Sequence, residues 1–295
     1  MKKTLLAVLI AVIGSAAHAA DNECAASYFN GQSPVITNAK LAQRTTPLCF
    51  SEYAVMFSGL SRTPLWSAEH LTADRVEQAW RLPREDSFHA EPRLSHDDRS
   101  ELRDFSASGY DRGHMSPNED FDTPEAQHES FSLANVVAQD ADSNRKLWAD
   151  IERSVRRLAR KRGELYVITG PLFTGGTLQQ LNGRVLVPVR LFKLVYDPRS
   201  GKGAAYVASN APGYEYSTMS IAGLERISGI SFFPGMSDSL KNDPLTLPPP
   251  VKYHGTSNDS EYGDYRPRHS NAYRENGESP SMGSLARAAV RLLKN

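Results

Sequence analysis

Between Asn144 and Arg160 the apolar residues Leu147, Trp148, Ile151, Val155 and Leu158 recur at steps of three and four, the spacing of one face of an α-helix. Gly163 follows as a natural stop, and residues 165–169 (Leu-Tyr-Val-Ile-Thr), closed by Gly170-Pro171, read as a buried strand. Residues 185–189, 191–196 and 204–208 continue as strands, with a hairpin-like turn at residues 197–201 between the last two. Residues 53–57 give one more buried strand. Residues 67–71 and 73–81 carry mixed periodicity and read as short helical or irregular pieces. A helix beside a mostly antiparallel sheet defines an α+β chain. No internal repeat is present.

The first residues constrain location. Lys2 and Lys3 precede an apolar run at residues 5–13, and small residues end at Ala17-His18-Ala19. That is the pattern of a secretory signal peptide over residues 1–19. The run falls far short of the roughly 20 apolar residues that span a bilayer. Asp21-Asn22-Glu23 before Cys24 argues against a lipid anchor. The expectation is a periplasmic or secreted protein that is free of the membrane once the leader is removed. Its two cysteines, Cys24 and Cys49, are then expected to pair. Closing that loop would stabilise the fold by roughly 3 kcal/mol in the chain-entropy view.

Composition sets the outer limits. Apolar content of 40% is ordinary for a globular protein. The expected division is a catalytic domain over residues 20–236 and a polar, flexible tail over residues 237–295, where Pro248-Pro249-Pro250 and a Ser, Asn, Asp and Gly bias begin. Residues 284–294 allow a short basic helix, the simpler reading being a solvated terminus. Lysine plus arginine number 34 against 34 aspartate plus glutamate, and losing Lys2 and Lys3 with the leader leaves the mature chain slightly acidic. A polyanionic substrate would therefore meet a local basic patch, not a globally basic protein.

Chemistry concentrates in residues 109–117, Gly-Tyr-Asp-Arg-Gly-His-Met-Ser-Pro. An imidazole at His114 can act as general base near neutral pH, and a guanidinium at Arg112 can grip a phosphate with paired donors. A turn with an exposed histidine has the same composition. Asn144 and Glu152 stand eight positions apart on the helix, toward one face and about 12 Å apart along its axis. One can be a metal ligand and the other an outer-shell group that orients water. Asn144 also fits a simple N-cap. Arg153, Arg156, Arg157, Arg160, Lys161 and Arg162 crowd the end of the helix, where they either track a phosphate backbone or form a solvated basic face.

Asp111-Arg112-Gly113-His114, then residues 130–139 (Ser-Phe-Ser-Leu-Ala-Asn-Val-Val-Ala-Gln), then Asn144-x-x-x-Trp148-x-x-x-Glu152 resemble the DNA/RNA non-specific endonuclease family. The resemblance extends to residues 64–70 (Pro-Leu-Trp-Ser-Ala-Glu-His) upstream and to Thr169-Gly170-Pro171 downstream. It implies a ββα-metal fold, in which a two-stranded ribbon carries His114 and the following helix carries Asn144 and Glu152. His114 would activate water for in-line attack, and Mg2+ on Asn144, or Mn2+ in its place, would stabilise charge at phosphorus and give 5′-phosphate products. Arg112 would stabilise phosphate charge, Asp111 would brace the loop and Asn135 would hydrogen-bond it. The family's upstream phosphate-binding arginine is matched by Arg84, with Arg81 competing. Ala138 stands where the family has proline.

The resemblance implies DNA and RNA as substrates, held through backbone contacts. No base-reading signature is present, in keeping with that mode. Two other classes share some of these features: an exported nucleic-acid-binding protein without turnover, and a phosphodiesterase for a different ester. The intact set of His114, Asn144 and Glu152 speaks against the first, and product analysis on DNA and on lipid separates the second.

Overall fold

A computed structural model describes residues 24–174 and 178–251. The leader and the basic helix allowed at residues 284–294 lie outside the described residues. Thirteen strands are present among the described residues: β1 Val35–Ile36, β2 Thr45–Cys49, β3 Tyr53–Ser58, β4 Thr63–Thr72, β5 Tyr110–His114, β6 Val136–Asp140, β7 Glu164–Leu172, β8 Gln180–Leu181, β9 Val185–Leu186, β10 Arg190–Asp197, β11 Lys202–Ser209, β12 Tyr216–Ser220 and β13 Ile230–Ser231. The helices used below are α1 Ala73–Ala79, α2 Leu102–Phe105, α3 Pro124–Ser130, α4 Ala149–Arg162, α5 Ile221–Ser228 and α6 Asp238–Asn242.

Seven strands form one antiparallel sheet in the order β12-β11-β10-β7-β4-β3-β2. Two meanders meet where β4 pairs with β7, Ser67 opposite Thr169 and Leu71 opposite Leu165. The chain between those two strands holds the β5–β6 ribbon and α4. Strand β10 turns into β11 through residues 197–201, where the Arg199 amide donates to the Asp197 carboxylate and Gly201 adopts φ +68°.

Successive residues alternate between the two faces of the sheet. Trp66, Ala68, Ile168 and Leu194 pack with Tyr28, Ile221, Leu224 and Phe232 on one side. Leu71, Val167 and Val195 pack on the other side with Val137, Trp148, Ile151 and Val155 from the ribbon and α4. The expected α4 stripe is thus the stripe that seats the helix on the sheet. Thr72 caps α1 by accepting from the Arg75 amide, and Gly163 at φ +91° ends α4.

The structure departs from three expectations. Residues 67–71, read as short helical or irregular, lie inside β4, which pairs with the central strand β7. Their polar members Ser67 and Glu69 are fully buried toward the ribbon and α4, so the strand lacks the usual apolar signature. Residues 185–189, read as one strand, provide only the two-residue β9, paired with β8. Residues 237–251, assigned to a flexible tail, are packed: α6 is capped by Ser237, and residues 244–251 strap the sheet and α4. Tyr206 donates to the Pro248 carbonyl, Ser154 to the Pro249 carbonyl and Arg153 to the Val251 carbonyl. The proline run makes an extended strap whose carbonyls accept hydrogen bonds.

Candidate active site

The sequence Asp111-Arg112-Gly113-His114 lies in β5, paired antiparallel with β6 so that Asp111 faces Gln139 and His114 faces Val136. Arg112 and His114, two apart, share a face of the ribbon. His114 packs between Phe88 and Phe131, with ring centroids 5.0 and 4.9 Å away, and its Nε2 is buried without a hydrogen-bond partner. Arg112 lies over the Phe88 ring at 4.7 Å and Arg84 over the Phe131 ring at 5.2 Å. Burial first, then the Arg84 and Arg112 cations, hold the imidazole well below the ordinary histidine value, so it is neutral at physiological pH.

The backbone after His114 is fixed on every side. The Met115 amide donates to the Asn135 carbonyl, while the Asn135 side chain accepts from the Ser116 amide and donates to the carbonyls of Ser116 and Ser130. Asn135 therefore braces this loop, as expected of it. The Met115 carbonyl accepts from Lys193, and Ser116 Oγ meets Ser67 Oγ at 2.7 Å. Gly113 is required locally, because a Cβ there would lie 2.0 Å from Gln139 Oε1 and 2.6 Å from Gln139 Cβ.

Asn144 does not simply cap a helix. A short turn at Ala141–Ser143, capped by Asp140, runs into a π turn at Asn144–Trp148 and then into α4. Eight residues of ideal α-helix would leave Asn144 and Glu152 about 80° apart around the axis. The π turn takes up one residue and closes that angle to about 20°. The Asn144 Nδ2 donates to Asp111 Oδ2 at 3.0 Å, and Arg145 grips the same carboxylate at 2.9 and 2.7 Å. Asp111 thus ties the ribbon to the helix. The amide nitrogen of Asn144 is used, so its oxygen is the atom left to face a ligand.

Glu152 is partly buried on the same helix. Burial pushes its carboxyl up to about 7, against the opposing pull of Lys193 and Arg156. Arg84 donates to the Asn118 side-chain amide oxygen at 2.7 Å and pairs with Asp86 at 2.6 Å, whereas Arg81 is exposed. Of the two candidates, Arg84 is the one the fold brings to His114. The basic run on α4 is engaged largely within the protein. Arg153 pairs with Asp150, Arg156 with Glu119 and Asp120, Arg160 with Glu77 and Arg162 with Asp197. That removes most of it from the role of a phosphate track and makes it a structural seam between α4 and its neighbours.

Among the described residues, no three His, Cys, Asp or Glu side chains converge to hold a metal ion. A hard cation that keeps most of its waters is the kind that a lone amide oxygen suits. Sequence reasoning missed the aromatic pair Phe88 and Phe131 and the buried Lys193. The lysine was signalled by a charge inside the apolar run of residues 191–195, while the aromatics had no such signal.

A strand pair followed by a helix, with a histidine on the strand and an asparagine at the helix start, is the ββα arrangement of metal nucleases, and it defines the protein as an endonuclease. The chain belongs to the DNA/RNA non-specific endonuclease family, whose sequence model matches residues 31–239. It is 33% identical over 211 residues to nuclease C1 of Cunninghamella echinulata var. echinulata, covering 65% of this chain and 84% of that one. It is 30% identical over 218 residues to the mitochondrial nuclease EXOG of Homo sapiens, covering 64% of this chain and 57% of that one. The solved complex of EndoG with EndoGI, described as showing EndoG inhibition, superposes with a TM-score of 0.56 at 25% identity, over 66% of this chain and 88% of that one.

Proposed function

We propose that this protein is an exported, divalent-metal-dependent endonuclease that hydrolyses DNA and RNA with little sequence preference, with His114 as general base and Asn144 as the metal's protein ligand. The observation that carries this reading is the Asp111–Asn144 bond: it fixes an amide with a bare oxygen against the strand that ends in the histidine.

His114 is neutral and clamped between two aromatic rings, so it can accept a proton from water without first losing one. Arg84 and Arg112 flank it with positive charge suited to a phosphate's non-bridging oxygens. Asn144 would hold Mg2+, or Mn2+ in its place, and Glu152 would orient water beside it. When bound, the cation supplies electrostatic stabilisation of charge developing on the phosphate and on the departing 3′ oxygen. The products would carry 5′-phosphates. The sequence carries no base-reading signature, in keeping with cutting through backbone contacts in either nucleic acid.

The leader-like residues 1–19 and the Cys24–Cys49 disulfide both support an oxidising compartment outside the cytoplasm. The deciding experiment is digestion of supercoiled plasmid and of ribosomal RNA with magnesium or with chelator, beside His114→Ala and Asn144→Ala. Metal-dependent loss of both substrates, abolished in the two variants, is the expected result. A folded wild-type protein that cuts neither substrate with any divalent metal overturns the reading.

A further inference from the structure

Lys193 is 1% exposed in the interior strand β10, an unusual place for an ammonium group. A row of polar side chains surrounds it on one face of the sheet. Lys193 pairs in register with Thr169 on β7, Thr169 with Ser67 on β4, and Lys193 with Tyr206 on β11. This row meets the chain where it leaves His114: Lys193 Nζ donates to Thr169 Oγ1 at 2.8 Å and to the Met115 carbonyl at 3.3 Å, and Ser67 bonds Ser116. The same ammonium lies 5.7 Å from the ring centre of Trp148, the last residue of the π turn that begins at Asn144. Burial pushes the carboxyl groups of Glu69, Asp120 and Glu152 up, and the Lys193 charge opposes that rise in each. Glu69 is fully buried, with neither carboxylate oxygen hydrogen-bonded.

We propose that Lys193 is a positioning residue for phosphodiester cleavage: one buried ammonium holds the backbone that follows His114 while attracting the carboxylates beneath the metal-side helix, so that base and helix keep their spacing. The proposal rests on the roles given above to His114 and Glu152. Its physical content is that two halves of the site, carried by different elements, meet at one buried ammonium on the sheet. A misplacement of about 1 Å between catalytic groups is enough to lower turnover about a hundredfold. Lys193 touches no substrate and acts only through the groups it holds.

The test is steady-state cleavage of a short fluorescent duplex, with a melting curve for each protein. Lys193→Met alone takes from buried Glu69 the positive charge that most opposes its desolvation, so it is paired with Lys193→Met/Glu69→Gln, which also replaces that acid with its neutral isostere. The double variant is expected to melt cooperatively, to keep KM within about twofold, and to lose kcat by about tenfold or more. Thr169→Val, isosteric and charge-neutral, removes the ammonium's anchor on β7 and is expected to lower kcat less, again at constant KM. A folded double variant with kcat within about twofold of wild type overturns the proposal. If the double variant does not fold, Thr169→Val decides, and an unchanged kcat overturns it. A His114→Ala enzyme that still turns over would instead remove the base assignment beneath the inference, whatever the lysine variants do.

Discussion

Asp111 accepts a hydrogen bond from the Asn144 side-chain amide at 3.0 Å, joining residues 33 positions apart in the chain. Arg145 shares that carboxylate. Asp111→Ala is therefore expected to leave Asn144 present but unaimed, and to raise the magnesium concentration for half-maximal activity by about tenfold or more. Saturating magnesium should recover much of the rate. A magnesium titration of plasmid nicking checks this, and an unchanged midpoint would show that the bond does not orient the ligand.

The His114 imidazole can be observed directly by NMR in labelled protein, with no reference to turnover. Its titration midpoint is expected below that of a free histidine, because burial and two cations disfavour the charged ring. Arg84→Ala removes one cation, so the midpoint should rise. A wild-type midpoint at or above the ordinary value would contradict the environment described.

Glu152 is expected to set stability against activity. Its folded value is about 7 against an ordinary 4.5. Between those values the folded state holds a proton that the unfolded state has released, so this residue's contribution to stability declines as pH rises through the interval. With chelator present, Glu152→Gln should melt above wild type at about pH 8, and the gap should close toward about pH 4.5. The same variant should lose activity by about a hundredfold. Melting curves across pH and one rate measurement test both halves.

Gly113→Ala places a methyl group against the Gln139 side chain, including its Cβ, which has little freedom to retreat. The ribbon must shift, at a cost of about 1–3 kcal/mol, and His114 moves with it. A lower melting temperature together with lost cleavage is expected. Retention of both would mean that the ribbon tolerates a wider spacing than the one described.

The Cys24–Cys49 disulfide joins Cys24, packed on the sheet face away from His114, to strand β2. Replacing both cysteines with serine should lower stability by about 3 kcal/mol while leaving kcat in the cold unchanged. Urea unfolding and an activity assay below the transition separate those effects.

Much of this was legible in the sequence because certain residues have few alternative uses. The apolar spacing from Leu147 to Leu158 could seat only one helix face, and the strands at residues 165–169, 191–196 and 204–208 are apolar enough to be recognised alone. Strand β4 was not, because Ser67 and Glu69 point toward a polar interior that only the folded site creates. The packed strap at residues 244–251 was hidden for the opposite reason: its hold comes largely from backbone carbonyls, which composition does not reveal. The sequence also brought His114, Asn144 and Glu152 to attention, but not the device that aligns the last two.

That device is the π turn, and it has a consequence for how the chain tolerates change. A π turn holds one residue more per turn than an α-helix, so the same residues rewound as regular α-helix, with none removed, would have better hydrogen bonding. Rewinding would also swing Asn144 by about 100° relative to everything that follows. In this segment the smoother helix and the one that aligns Asn144 with Glu152 are different structures, and selection for regularity alone would part the two side chains.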